Sequence, residues 1–214
     1  MKDLGIISPA MMKLFQSCPL KFYFRYIENI SAPVLDKNFL LGKRIHTIAS
    51  YYLNKENITD FLTSLSNVEV GYFNFLKDSE YFKYDVVGTE KSISVKINDF
   101  WIGGRIDAVV RNDRDYYILD YKTGGVLEDM TYDFQTMVYL LLCEKFYPEY
   151  NNLSFVYIDL KNSRCKVISF NDNLKIEYEG RLTEICAAMT AFNRLKFKKQ
   201  CDDNCEYSKL CINY

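Results

Sequence analysis

Apolar residues recur at helical spacing through the first eighty or so positions, alternate between about 86 and 122, and then mix the two periods. Ser8-Pro9 reads as an N-cap followed by proline at the first helical position, and Pro19 as a second start. This predicts short helices over 9–17 and 20–28. Leu41, Ile45, Ile48, Ala49, Tyr52 and Leu53 fall on one face of a helix over 39–54. A further helix over 59–77 is expected, interrupted at Gly71. Strands are expected over 86–97 and 100–110, joined by a two-residue turn at Asn98-Asp99. "RNDRD" then turns the chain into a strand over 116–122. A helix over 132–146 is stopped by Pro148, and strands over 153–160 and 164–170 flank a turn near Asn162-Ser163. Asp172 or Asn173 caps a last helix over 174–196. Helices, three strands, a helix, two strands and a helix make an α/β fold with a mixed sheet flanked by helices.

The strand 116–122, which opens "YYILDYKTGG", begins apolar and ends in charge. Side chains alternate along a strand, so Tyr116, Ile118, Asp120 and Lys122 share one face. A buried carboxylate or ammonium needs a partner, a metal ion or water. The plain alternative is an Asp–Lys pair at a solvated strand end. Against it stands Asp107, set between Ile106 and Ala108 in "WIGGRIDAVV", which the short connection 111–115 can carry beside Asp120. Two carboxylates at one place repel, and a hard divalent cation relieves the repulsion. Mg²⁺ takes one or two carboxylates together with water and substrate phosphate. Lys122 would then stand near the bound water or the phosphate.

Composition adds limits. The chain has 214 residues, 49% hydrophobic and 26% charged, with 18 Tyr and 15 Phe, which suits one globular domain. Its net charge of -1 gives no global attraction to nucleic acid or anionic membrane. Locally the balance differs: residues 1–55 hold eight Lys/Arg against Asp3, Glu28 and Asp36, a net +5. Arg194, Lys196, Lys198 and Lys199 form a second basic run. Such runs are ordinarily solvated faces, but on one side of a fold they suit a polyanion. The apolar runs are too short to span a membrane, and no signal peptide opens the sequence. With seven Cys, this points to a reducing, cytoplasmic setting. "CDDNCEYSKLC" places Cys201, Cys205 and Cys211 together, and Cys18 is the obvious fourth thiol. Four thiolates suit zinc or an iron–sulfur cluster, and zinc is the default from spacing alone. Cys143, Cys165 and Cys186 read as small buried hydrophobes.

Asp107 and, after twelve intervening residues, "DYK" resemble the metal-binding signature of the PD-(D/E)XK nuclease superfamily. The likeness is narrower still to its RecB-like branch, with G-x-x-D at Gly104–Asp107, D-x-K at Asp120–Lys122 and Q-x-x-x-Y at Gln135–Tyr139. "GKRIHTIA" fits that branch's upstream histidine, and His46 is the sole His. "ISPAMMKLFQSCPLKFYFRYI" resembles its N-terminal segment. The resemblance implies a single domain over 1–214 with a restriction-endonuclease-like core over 84–170. A helical part over 1–80 precedes that core, and 172–214 carries the last helix and the cysteines. It implies a Mg²⁺- or Mn²⁺-dependent deoxyribonuclease, an exonuclease acting on DNA ends or single strands. Asp107, Asp120, the Tyr121 carbonyl and His46 would be metal ligands, Lys122 catalytic, and Gln135 and Tyr139 in support of site and substrate. A nitrogen ligand such as His46 favours Mn²⁺ over Mg²⁺. Glu90 reads as a strand-face glutamate, with an extra site acid as the alternative.

Members of this branch hold a [4Fe–4S] cluster on one distant and three C-terminal cysteines, commonly ending Cys-x₂-Cys-x₅-Cys. Here the run is Cys-x₃-Cys-x₅-Cys, giving Cys18, Cys201, Cys205 and Cys211 as ligands that would tie the chain ends. The resemblance extends to CRISPR-associated and helicase-linked exonucleases, so a helicase, recombination or CRISPR adaptation partner is within its reach. The other function class is a non-catalytic nucleic-acid binding or assembly subunit with a structural zinc or iron–sulfur site.

Overall fold

The alternating segments form one five-stranded sheet in sequence order. Its strands are β1 (Asp85–Ile97), β2 (Phe100–Asn112), β3 (Asp115–Lys122), β4 (Asn152–Asp159) and β5 (Arg164–Ser169). The computed structural model describes residues 4–30, 37–193 and 205–212. All neighbouring pairs are antiparallel except β3 with β4, which are parallel. A parallel pair needs a crossover, and the helix α6 (Phe134–Phe146) lies in it. The tight turns are where the sequence placed them. Asn98, Asp113 and Ser163 take φ of 50°, 54° and 49°, the left-handed conformation that Asn and Asp tolerate best.

Helices cover both faces. On one side, α1 (Pro9–Ser17), α6 and α7 (Asp172–Thr190) bury Met12, Phe15, Leu140 and Leu182 against Ile102, Ile106, Ile118 and Phe155. On the other, α3 (Lys37–Leu53) and α5 (Asn67–Asp78) bury Ile45, Ala49 and Leu76 against Ala108, Leu119, Tyr121 and Val156. Helix α6 is apolar on all sides because Thr136 to Cys143 are all buried, so no solvent-facing stripe survives. The short helices α2 (Pro19–Phe22), α4 (Thr59–Thr63) and α8 (Ser208–Ile212) complete the set among the described residues. None of these helices is long and apolar enough to cross a membrane.

Four departures from expectation have local causes. Residues 23–27 form a wide π turn closed by the Glu28 N–H on the Tyr23 carbonyl, which lets Phe22 and Phe24 both be buried. The expected helix over 59–77 breaks at Ser64–Ser66 rather than at Gly71. Ser66 and Glu69 form a reciprocal capping box that starts α5 afresh. That "S-x-x-E" was present in the sequence and is the signal for the break. Helix α7 is capped by Asn171, whose side chain accepts from Leu174 N–H. It ends at Thr190, whose hydroxyl donates back to the Ala187 carbonyl. Of the expected stretch to 196, residues 194–196 lie outside the described residues, as do Arg194, Lys196, Lys198, Lys199 and Cys201. Cys143 and Cys186 are buried, but Cys165 is exposed, because it stands on the solvent-facing edge strand β5.

The N-terminal segment is fixed to the sheet where β3 does not reach. Ile7 donates to the Trp101 carbonyl at 2.8 Å, and Gly103 N–H returns to the Ile7 carbonyl at 3.1 Å. This bridge places the start of α1 over β2. Gly103 permits it, because a Cβ there would fall 2.7 Å from the Ile93 carbonyl and 2.8 Å from Ile6 Cγ2. Gly103→Ala should therefore force β1 and Ile6 outward, costing about 1–3 kcal/mol. Thermal denaturation would show the midpoint lowered by about 2–4 °C per kcal/mol in a chain of this size; an unchanged midpoint would contradict the close packing.

Candidate active site

The chemistry gathers where α3, β1, β2, the end of β3 and the start of α6 meet. Side-chain alternation reverses in β2 at Asp107: Ile102 and Ile106 pack on the α6 side, but Ala108 and Val110 on the α3 side. Opposite it in the β1–β2 ladder stands Glu90, at a left-handed φ of 50°. The irregularity puts Asp107 at the sheet surface facing α3. His46, on the third turn of α3, lies with Nδ1 3.2 Å from Asp107 Oδ1 and Nε2 3.0 Å from the Tyr121 carbonyl. Asp107 Oδ2 in turn accepts the Tyr121 N–H at 3.2 Å. His46, Asp107 and the Tyr121 backbone are thus one constellation, as the sequence motifs implied.

Asp120 is only 3% exposed. Lys122 Nζ donates to its Oδ1 at 3.1 Å and lies 2.8 Å from Oδ2, which has no aligned hydrogen bond. Gln135 joins the two: its Oε1 accepts from Lys122 at 2.7 Å and its Nε2 donates to Asp120 Oδ1 at 3.1 Å. The amide is oriented because Asp133 caps α6, accepting the Gln135 N–H at 2.9 Å. One turn on, Tyr139 OH donates to the Arg105 carbonyl at 2.9 Å. Its ring occupies the space over Gly104, where a Cβ would be 2.8 Å from Tyr139 Cε1. A single contact thus explains why the glycine of G-x-x-D and the tyrosine of Q-x-x-x-Y occur together.

The electrostatics follow from burial. Desolvation pushes the Asp120 carboxyl above its usual range; Lys122 opposes this and Asp107 adds to it. Glu90 is raised by burial, against the pull of Arg105 at 2.9 Å. Burial would lower the His46 pKa, but the hydrogen bond and charge of Asp107 outweigh it and the net shift is upward. Ligand atoms of His46, Glu90 and Asp107 all lie within 4.8 Å of one another, so this group could hold a metal ion. Its nitrogen and hard oxygen donors fit Mn²⁺ or Mg²⁺ chemistry. Sequence reasoning ranked Glu90 low because strand alternation cannot reveal the irregularity opposite Asp107.

His46, Glu90, Asp107, Gln135 and Tyr139 line a cleft of about 1080 Å³ that also takes in Ser8, Lys13, Lys43 and Arg105, and Asp120 and Lys122 lie behind this lining. Part of the basic N-terminal run therefore faces the site. A larger groove of about 1290 Å³ lies between the end of α3 and the start of β1 and contains none of the site residues. Of the predicted thiol ligands, the described Cys18, Cys205 and Cys211 do not line the cleft. Cys18 Sγ caps α2 by accepting the Lys21 N–H at 3.4 Å, and Cys205 Sγ accepts the Tyr207 N–H at 3.5 Å. Lys21 pairs with Glu206 at 2.7 Å, which raises its pKa, and lies near both sulfurs.

The profile of the PD-(D/E)XK nuclease superfamily matches residues 6–73 and 65–212. The chain belongs to this superfamily, whose nucleases generally use Mg²⁺ or Mn²⁺. Among solved structures it is similar to one described as a candidate exonuclease from Eubacterium rectale. That pair is 10% identical, with TM-score 0.58, over 96% of this chain and 87% of the other. It is also matched to the structure of SSO0001, at 17% identity and TM-score 0.43, over 99% of this chain and 88% of that one. No curated protein sequence matches it significantly.

The loop that follows Lys122 is held by a second buried carboxylate. Asp159, opposite Lys122 in the β3–β4 ladder, accepts from Val126 N–H at 3.3 Å, Asn162 Nδ2 at 2.7 Å and Arg164 Nε at 3.1 Å. Burial would raise its pKa, but the Asn162, Arg164 and Val126 donors outweigh it and hold it below the ordinary 3.8. A depressed carboxyl adds stability above its unfolded pKa, and that stability is lost as pH falls through the folded value. Asp159→Asn should be less stable at neutral pH and lose less on acidification below about pH 4 than the wild type. Urea midpoints across pH would test this, and parallel profiles would remove Asp159 from the acid response.

Proposed function

We propose that the protein is a metal-dependent deoxyribonuclease of the RecB-like kind, an exonuclease acting on DNA ends or single strands. What supports this reading is the contact network of His46, Asp107 and the Tyr121 backbone at the cleft, with the Asp120–Lys122 pair flanking Tyr121 on the same strand. His46, Asp107, Asp120 and the Tyr121 carbonyl would hold Mg²⁺ or Mn²⁺. Bound there, the cation would polarise the scissile phosphate and lower the pKa of its water. Lys122, held by Asp120 and Gln135, directs its ammonium to the developing charge on the phosphate and orients the attacking water. Gln135 and Tyr139 keep Lys122 and the Arg105 segment in place as substrate enters. Lys13 and Lys43 supply positive charge along the cleft for the DNA backbone. The whole chain acts as one nuclease domain.

The same reading includes a [4Fe–4S] cluster on Cys18, Cys201, Cys205 and Cys211. It is supported by the backbone N–H donors on Cys18 and Cys205 and by their shared neighbour Lys21. Residues 205–212 also pack on the N-terminal helices: Tyr207 stacks on Phe24 at 5.7 Å and donates to the Ile30 carbonyl at 2.9 Å.

Asp107→Ala, Asp120→Ala and Lys122→Ala should each abolish metal-dependent cleavage of an end-labelled oligonucleotide while keeping the folded spectrum. Wild-type rates in any one would sink the site assignment. A wild-type protein that binds the oligonucleotide without cleaving it in either metal would instead favour an assembly subunit.

Cys18→Ser should abolish the brown chromophore and the bound iron and lower the melting temperature. Iron and sulfide analysis decides it: full iron in this variant would mean that another thiol closes the site. Zinc in the wild type would discard the cluster and leave a zinc clasp.

A further inference from the structure

Glu90 stands between two claims. Its carboxylate belongs to the group of ligand atoms it forms with His46 and Asp107, all within 4.8 Å. It is also 2.9 Å from Arg105 Nε. Arg105 lies two residues before Asp107 on β2, and its backbone is pinned by the Tyr139 hydroxyl. Its side chain is 69% exposed and, like Glu90, lines the cleft. A carboxylate carries one negative charge, so a divalent cation and a guanidinium compete for it.

We propose that Glu90 is a further metal ligand, held by Arg105 until the cation binds, so that metal loading releases Arg105 to a substrate phosphate. Three features of the site support this, given that the nuclease reading above is right. Glu90 and Asp107 sit across from each other between the ladder pairs Thr89–Ala108 and Lys91–Ile106, and their ligand atoms lie within 4.8 Å, so Glu90 is within reach of a cation that Asp107 would hold. Nearby, Asp107 and the buried Asp120 add further negative charge that the single ammonium of Lys122 only partly offsets. Arg105 is fixed at its backbone while its side chain is largely exposed, which is the arrangement needed to swing from Glu90 to a second anion a short distance away. A guanidinium suits a phosphate because its planar fork makes two parallel hydrogen bonds. Metal and DNA would then bind cooperatively: each makes the other's site available, and by linkage the coupling is the same in both directions.

Titration calorimetry with Mn²⁺ and no DNA tests the first half, using the full chain. Glu90→Gln keeps the shape of the side chain and should weaken Mn²⁺ about tenfold. Arg105→Met removes the competing cation and should tighten Mn²⁺ by about fivefold. In the double variant the effect of Arg105→Met should vanish, because the carboxylate it competes for is gone. Anisotropy of a labelled single-stranded oligonucleotide in Ca²⁺ or in EDTA tests the second half. Arg105→Met should lose the gain in affinity that Ca²⁺ gives the wild type while keeping the affinity in EDTA. Unfolding midpoints in EDTA confirm that each variant is folded.

Wild-type Mn²⁺ affinity in Glu90→Gln, or unchanged or weaker affinity in Arg105→Met, would overturn the proposal. So would an intact Ca²⁺-dependent gain in DNA affinity for Arg105→Met. Asp107→Ala and Asp120→Ala separate this failure from a wider one. If these lose Mn²⁺ while Glu90→Gln keeps it, only the role of Glu90 falls. If they too bind as the wild type, the metal site itself is misassigned.

Discussion

A carboxylate that is 3% exposed at the end of a central strand is the feature around which the site is arranged. Unpaired, Asp120 would be expensive to bury. Two elements answer it. β3 supplies Lys122 two residues on, on the same face, and α6 supplies Gln135. The capping residue Asp133 fixes where α6 begins and so where the Gln135 amide points. Because β3 and β4 are parallel, the crossover has to carry a helix back across the sheet, and that helix starts beside the charged strand end. The site is thus a consequence of the topology as much as of its motif.

The charge is not fully balanced by the protein alone. Asp107, Asp120 and Glu90 face Lys122, Arg105 and the His46 imidazole, which lies against two acceptors, Asp107 Oδ1 and the Tyr121 carbonyl. Burial and mutual repulsion push Asp120 and Glu90 upward, the direction that signals carboxylates waiting for more positive charge. A divalent cation supplies it without a proton. This fits the membership of the PD-(D/E)XK superfamily.

Much of this was legible in the sequence. Strand periodicity located β1 to β5, and the turns at Asn98 and Ser163 followed from residues that tolerate positive φ. His46, Asp107, Asp120, Lys122 and Gln135 could be named as candidates because motif spacing survives whatever the exact packing, and the structure links them through hydrogen bonds and ion pairs along the end of β3. What could not be read were features set by three-dimensional contact. Glu90 looked like a strand-face residue, since alternation assumes a regular strand and the ladder is irregular there. Gly104 gave no hint that it makes room for the Tyr139 ring. The break before α5 was misplaced at Gly71 for a different reason: a local signal, the capping box, outweighs one tolerated glycine.

The segment 205–212 raises a last point about the chain ends. Its helix α8 has five residues, far below the length at which a helix holds itself in water. Its ties include the partly exposed Lys21–Glu206 pair, a ring stack, one hydroxyl bond and the burial of Tyr207. A partly exposed ion pair contributes little, about 0–1 kcal/mol, and an aromatic pair about 0.5–1.5 kcal/mol beyond burial. A cross-link between residue 18 and the C-terminal thiols would add to them mainly by restricting the unfolded chain over so long a loop. Its place also matters: Cys18 directly follows α1, whose Pro9, Ala10 and Lys13 line the cleft. Securing residue 18 would hold that wall from behind, so a clasp remote from the candidate metal site would still bear on the shape of the cleft.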